Sequence, residues 1–313
     1  MNHSIQSKTH ALPLRQGIIS VIQIPFGENG AIDFFDLDRL IEDAIASGTN
    51  GFLAPVVASE VAYLTAQERR AVVERVAGRV QSRVPFIAGA SSDNSQSCIE
   101  YLEHAAISGA HACLVAVPPA FYRQPERILP FFKAISRNSR LPLLIQDFEF
   151  NGPGMSLSLI GQLRQQLPNL VGIKIETVPA GPKYTAVRQI CGSDFFVAGG
   201  WAVPQMIEAL DRGVDAMIPE SSMVRVYAKI VEYYASGQRD SALKVFRALL
   251  PVLAFTNQDV ATSIAFFKRL LVRKNIFKNA AIRWQGFQWD PYNERIAEEL
   301  IDYTLQLEKN LGT

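Results

Sequence analysis

Short, nearly continuous apolar runs recur along the chain, each separated from the next by a stretch with helical spacing. They read as strands at Gly17 to Ile24, Gly51 to Pro55, Pro85 to Ala88, His111 to Val117, Leu141 to Gln146, Leu170 to Ile175, Phe195 to Ala198 and Ala216 to Pro219. Between the first two, Asp33 to Ser47 places Phe34, Leu37, Leu40, Ile41 and Ala44 on one helical face. Thr65-Ala66-Gln67-Glu68 opens a second helix with a capping-box pattern, and Ser95 to Ser108, Pro125 to Ser136 and Pro204 to Arg212 continue the series. Strands apolar on both faces must be covered on both, which alternating helices do for a parallel sheet. Eight such units over roughly 210 residues match the size at which the sheet closes into a (β/α)8 barrel, about 200 to 250 residues. An open doubly wound sheet is the alternative, but the first turn carries neither G-x-G-x-x-G nor a Walker pattern, so its nucleotide-binding form has no support.

Beyond about residue 225 the strands stop. Val226 to Ser236, Asp240 to Phe255, Val260 to Arg273 and Pro291 to Leu311 read as helices, so residues 226–313 are expected to form an all-α annex to a barrel over residues 17–225. Residues 1–16 are polar, lack the apolar centre of a signal peptide, and are read as a flexible leader. No apolar run is long enough to span a bilayer, so no membrane partner is expected. Lysine and arginine total 31 against 30 acidic residues, a balance with no net pull on nucleic acid. A small-molecule partner is expected instead. The basic run Val272 to Lys278 reads as a solvated helix end. Cys98, Cys113 and Cys191 are odd in number and lack metal-ligand spacing, as suits reduced thiols in a cytoplasmic protein.

In such a barrel the active site forms at the C-terminal ends of the strands and in the loops after them. The polar residues there are Ser59 and Glu60 after the second strand, Tyr122 and Arg123 after the fourth, and Gln146 and Asp147 ending the fifth. Lys174 and Glu176 end the sixth, and Gly199-Gly200-Trp201 follows the seventh. Lys174 stands out because its run, Asn169 to Thr177, is apolar and β-branched, where an ammonium ion is costly to desolvate. The neutral amine is the nucleophile that condenses with a ketone to form a Schiff base. Among barrel neighbours expected to be uncharged, Lys174 is the candidate nucleophile; the competing reading is a lysine that snorkels to water. Glu176 either serves as a base or pairs with an arginine. His3, His10, His104 and His111 lack metal-ligand spacing, so no metal centre is expected. No histidine ends a strand to serve Ser91-Ser92-Asp93 as a base, which disfavours a serine hydrolase.

Gly172-Ile173-Lys174, Ser59-Glu60 with Leu64-Thr65 and Glu68, Val84-Pro85-Phe86-Ile87-Ala88-Gly89 and Pro25-Phe26 together resemble the dihydrodipicolinate synthase and N-acetylneuraminate lyase superfamily. The resemblance runs from about residue 17 to the C-terminus. It implies a (β/α)8 barrel, a homotetramer or homodimer, and a Schiff base between a lysine, here Lys174, and pyruvate or another 2-oxo acid, with no metal or organic cofactor. It implies that the loop of Val57, Ala58 and Ser59 holds the carboxylate of that acid, where backbone N–H groups suffice.

Two departures bear on the reaction. The Gly-Thr-Thr-Gly-Glu run of well-known members is here Val56-Val57-Ala58-Ser59-Glu60, and the tyrosine that ends their fifth strand is here Gln146. That tyrosine moves a proton at the C4 oxygen when a carbon–carbon bond forms or breaks, and a carboxamide does not titrate near neutral pH. Dehydration of a 2-oxo-3-deoxy acid needs only a C3 proton acidified by the iminium and help to a departing C4 hydroxyl, which Gln146 can orient. Gln146-Asp147 with Lys174-Ile175-Glu176-Thr177 is similar to the 2-keto-3-deoxy-L-arabonate dehydratases, although the glycines expected in the strand-eight loop are here Ile218-Pro219-Glu220-Ser221-Ser222. The resemblance therefore implies a Schiff-base dehydratase of a 2-keto-3-deoxy sugar acid. Lys174 is its nucleophile, Gln146 its orienting group and Glu60 or Glu176 its proton carrier, with Tyr122, Gly200 and Trp201 beside the substrate. Residues 150–156 and 220–224 are expected to recognise the substrate tail. The alternatives are a pyruvate-dependent aldolase or synthase, with Tyr122 in place of the missing tyrosine, and a barrel that binds 2-oxo acids without catalysis.

Overall fold

The computed structural model describes residues 17–201 and 203–311, so the leader expected over residues 1–16 lies outside the described residues. Eight strands close a barrel in chain order: β1 (Gly17–Val21), β2 (Gly51–Ala54), β3 (Phe86–Gly89), β4 (Ala112–Ala116), β5 (Leu143–Phe148), β6 (Leu170–Glu176), β7 (Phe196–Gly199) and β8 (Ala216–Met217). All neighbours are parallel, and the seam sets Gly17 opposite Ala216 and Ile18 opposite Met217. A helix follows each strand: α1 (Phe34–Ala46), α2 (Ala66–Val80), α3 (Ser95–Ile107), α4 (Ile128–Asn138), α5 (Leu157–Gln166), α6 (Gly181–Cys191), α7 (Met206–Asp211) and α8 (Val224–Ala235). The (β/α)8 barrel expected from the alternation is present.

Local chemistry fixes where the helices begin. Asp33 accepts from the amides of Phe35 and Asp36 at the start of α1, Asn94 does the same for α3 and Ser156 for α5, and Thr65 and Glu68 form the expected capping box on α2. These side chains satisfy N–H groups that a first helical turn leaves without carbonyl partners. Within the strands, alternation sorts side chains into two cores. Ile19, Leu53, Ile87, Leu114, Leu144 and Phe196 pack together inside the barrel, while Ile18, Phe52, Phe86, Val115, Ile145 and Val197 belong to the larger core under the helices.

Helix α8 packs against β1 on one side and against the following helix on the other. Helices α9 (Arg239–Thr256), α10 (Val260–Arg273) and α11 (Pro291–Leu311) make the C-terminal annex, packed on α8 and on one another. The basic run Val272 to Lys278, read as solvated, fastens this annex. Lys274 Nζ donates to Ser222 O at 2.7 Å, and Lys278 Nζ lies 2.9 Å from Asp33 Oδ2. Cys98, Cys113 and Cys191 are buried free thiols, and no helix among the described residues is long and apolar enough to cross a membrane.

Candidate active site

On β6, Ile173 and Ile175 belong to the core under the helices, so the two-residue period turns Lys174 into the barrel. The register sets Lys174 beside Gln146 of β5 and Ala198 of β7, and Glu176, two residues on, occupies the same face. Lys174 is only 3% exposed, and its Nζ lies 2.9 Å from Glu176 Oε1. That oxygen also accepts from the amide of Trp201 at 2.6 Å, and Oε2 accepts from Gln146 Nε2. One carboxylate thus holds together the lysine, the β5 carboxamide and the loop after β7. The expectation of uncharged neighbours around Lys174 is corrected: strand periodicity places an acid on the amine. Gly200 makes this approach possible, because a Cβ there would come within 2.1 Å of Glu176 Oε1 and 2.4 Å of Lys174 Cε.

Of the residues expected at the site, Val57, Ala58, Gln146, Lys174, Glu176, Gly200 and Trp201 line one cavity at the C-terminal ends of the strands. Val57 and Ala58 open a 3-10 turn, Val57–Ser59, after β2. The amides of Ser59 and Glu60 are bonded to Val56 O and Val57 O at 2.8 and 2.9 Å. Those of Val57 and Ala58 have no acceptor in the chain among the described residues, which leaves two N–H groups for an anion.

Three expected residues lie outside the cavity. Ser59 is fully buried, with Oγ donating to Ile22 O at 2.6 Å. Glu60, at a left-handed φ of 57°, turns away to accept from Lys268 Nζ and from the amide of Arg283 at 2.6 Å. It ties the annex to β2, and burial pulls Lys268 down to about 8 against the opposing attraction of Glu60. Tyr122 donates to Asp147 Oδ1 at 3.0 Å, and Asp147 also accepts from the amide of Met155 at 3.0 Å and from Lys183 Nζ at 2.6 Å. Burial, then the Asp147 charge, hold the Tyr122 phenol well above its ordinary pKa, and burial raises Asp147 despite Lys183. Since neighbours on a strand face opposite ways, Gln146 enters the barrel while Asp147 anchors the loop after β5 from outside.

Sequence reasoning missed a second carboxyl on the cavity wall. Glu220, just past β8 and 8% exposed, accepts from Gln23 Nε2 at 2.8 Å, from the amide of Met223 at 3.2 Å and from that of Ser222. Tyr227 of α8 also lines the cavity, burial raises both groups, and the Glu220 charge raises the Tyr227 phenol further. Glu220 follows a strand end, the same signal that marks Lys174, but in the sequence it reads only as a departure from the expected glycines and as part of the tail-recognition loop. The outer wall comes from the annex: Leu253 and Asn257 at the end of α9, and Val260, Ser263, Ile264 and Phe267 of α10. Lys174 is the sole cation among the described residues that line the cavity.

A 4-hydroxy-tetrahydrodipicolinate synthase from Bartonella quintana (strain Toulouse) is 29% identical over 245 residues, 76% of this chain and 81% of that protein. The 4-hydroxy-tetrahydrodipicolinate synthase of Methylacidiphilum fumariolicum SolV superposes with a TM-score of 0.85 at 22% identity, over 95% of this chain and 98% of that one. A prophage protein of the dihydrodipicolinic acid synthase family from E. coli K12, solved in complex with pyruvate, gives 0.80 at 20% identity over 93% and 98%. At such identities the two structures speak for the fold. The sequence profile of the dihydrodipicolinate synthetase family matches residues 14–276, and the chain belongs to that family of lyases.

Proposed function

We propose that this chain is a Schiff-base hydro-lyase that removes water from a 2-oxo-3-deoxy acid bearing a hydroxyl on C4, the class to which the 2-oxo-3-deoxy sugar acids belong. The observation that carries this reading over a carbon–carbon lyase is Gln146: a carboxamide, tied to Glu176, stands on the cavity wall where a proton-relaying phenol would be needed. The charge of the cavity supports it. A tetrahydrodipicolinate carries two carboxylates, whereas Lys174, the single cation among the described residues that line the cavity, is engaged at C2 by the Schiff base.

The amides of Val57 and Ala58 receive the substrate carboxylate. Lys174 Nζ adds to C2 while Glu176, already at the amine, takes and returns the protons, and the carbonyl oxygen leaves as water. The resulting iminium acidifies C3. Its proton passes to Glu220, the other carboxylate on the wall among the described residues, and the C–H electron pair makes an enamine. Those electrons return to form the C3–C4 double bond as the C4–O bond breaks, Glu220 gives the proton to the departing oxygen, and hydrolysis releases a 2-oxo-3-enoic acid and the free lysine. One water is lost overall.

The aldolase alternative has one observation in its favour, the Tyr227 phenol on the cavity wall; Tyr122, bonded to Asp147 outside it, is not placed to substitute. Borohydride reduction in the presence of pyruvate and of 2-oxo-3-deoxy-4-hydroxy acids, followed by intact-protein mass and peptide mapping, tests the proposal. The expected result is an adduct on Lys174, absent in Lys174→Ala, whose mass with the hydroxy acids is one water lower than that of the unreacted imine. Release of pyruvate would convert the assignment to a carbon–carbon lyase, and absence of any adduct would leave a binding barrel.

A further inference from the structure

Away from Lys174 the cavity changes character. Leu253, Val260, Ile264 and Phe267 of the annex face a space shared with Phe148 and Trp201. The polar groups interspersed there are few. Asn257 Nδ2 donates to Trp201 O at 2.8 Å, and the Tyr227 phenol lies under the Glu220 charge. Ser263 Oγ and the Tyr227 phenol are the two hydroxyls on this wall among the described residues.

A polyol tail laid against such a wall would lose its hydration at each hydroxyl and regain hydrogen bonds to only two wall hydroxyls, Ser263 and Tyr227. A second anionic group would meet no cation besides Lys174 among the described lining residues and would face Glu176 and Glu220. We infer that the acid this site takes carries an uncharged, largely apolar tail beyond C4, an alkyl or aryl group with at most two hydroxyls. The inference rests on the hydro-lyase reading and narrows it, replacing the fully hydroxylated sugar acid by a deoxygenated relative.

The test compares two 2-oxo-3-deoxy-4-hydroxy acids of equal carbon number, one hydroxylated at every tail carbon and one with a hydrocarbon tail, each followed by loss of one water in the product mass. The hydrocarbon-tailed acid is expected to have the higher kcat/KM by roughly tenfold or more, the scale on which apolar pockets discriminate. Ile264→Asn, checked for folding by thermal melting, is expected to shrink that ratio by adding an amide to the wall. Equal or reversed preference, or an unchanged ratio in a folded Ile264→Asn, overturns the tail assignment. Borohydride-trapped adducts on Lys174 separate that failure from one of the hydro-lyase reading, since no adduct with either acid overturns both.

Discussion

Lys174 Nζ and Glu176 Oε1 stand 2.9 Å apart on the inner face of β6, two residues apart in the chain. The carboxylate is the nearest group able to move protons as the amine adds to a carbonyl. Glu176→Gln keeps the size of the side chain and an acceptor for the Trp201 amide but removes the charge and the base. The rate of borohydride-trappable adduct formation with pyruvate should fall about 10²-fold, the low end for loss of a general acid–base group. An unchanged trapping time course would assign the proton transfers to water.

Gly200 bounds the same pair from the β7 side. Gly200→Ala puts a methyl group where Glu176 Oε1 and Lys174 Cε already lie, 2.1 and 2.4 Å from it, so both side chains must shift. Displacement of a reacting group by about 1 Å costs on the order of 10²-fold in rate. The variant should therefore lose adduct formation out of proportion to its loss of melting temperature.

The alternation of apolar runs and helices made the barrel legible, because a parallel sheet buried on both faces leaves few other solutions. Lys174, Glu176 and Gln146 were legible for a related reason: strand ends are the one place where the fold says in advance which way a polar side chain faces. Glu60 lies instead in the loop after β2, where its left-handed backbone turns it to Lys268, 208 residues away in sequence. No local pattern encodes such a pairing. The apolar wall was equally hidden, since a helix pattern shows that Val260, Ile264 and Phe267 share a face but not that the face closes the barrel mouth.

Burial raises the Glu220 carboxyl above the ordinary carboxylate range, against hydrogen bonds from Ser222 and Gln23 that favour the charged form. Only the deprotonated form accepts the C3 proton. Turnover should therefore decline as pH falls through the raised value, an acidic limb displaced upward from where a surface glutamate would put it. Glu220→Gln should lower kcat by about 10² to 10⁴-fold and abolish that limb. A limb that persists unchanged in the variant would belong to another group.

Glu60 and Lys268 form a buried pair, 1% and 0% exposed, that joins the loop after β2 to α10. Removing one partner leaves the other buried without its counter-charge, which costs about 3–5 kcal/mol, whereas replacing both by uncharged groups that fill the space is often close to neutral. Glu60→Gln and Lys268→Met should each lower the denaturation midpoint sharply, and the double variant should recover much of the loss, a non-additivity that a double-mutant cycle measures directly. Because neither side chain lines the cavity, kcat per folded molecule should change little in the double variant. A proton carrier in the reaction would behave otherwise: with Glu60 as that carrier, the double variant would regain stability and stay inactive. The combination of recovered stability and retained turnover is thus the outcome that separates a fastening between annex and barrel from a catalytic acid.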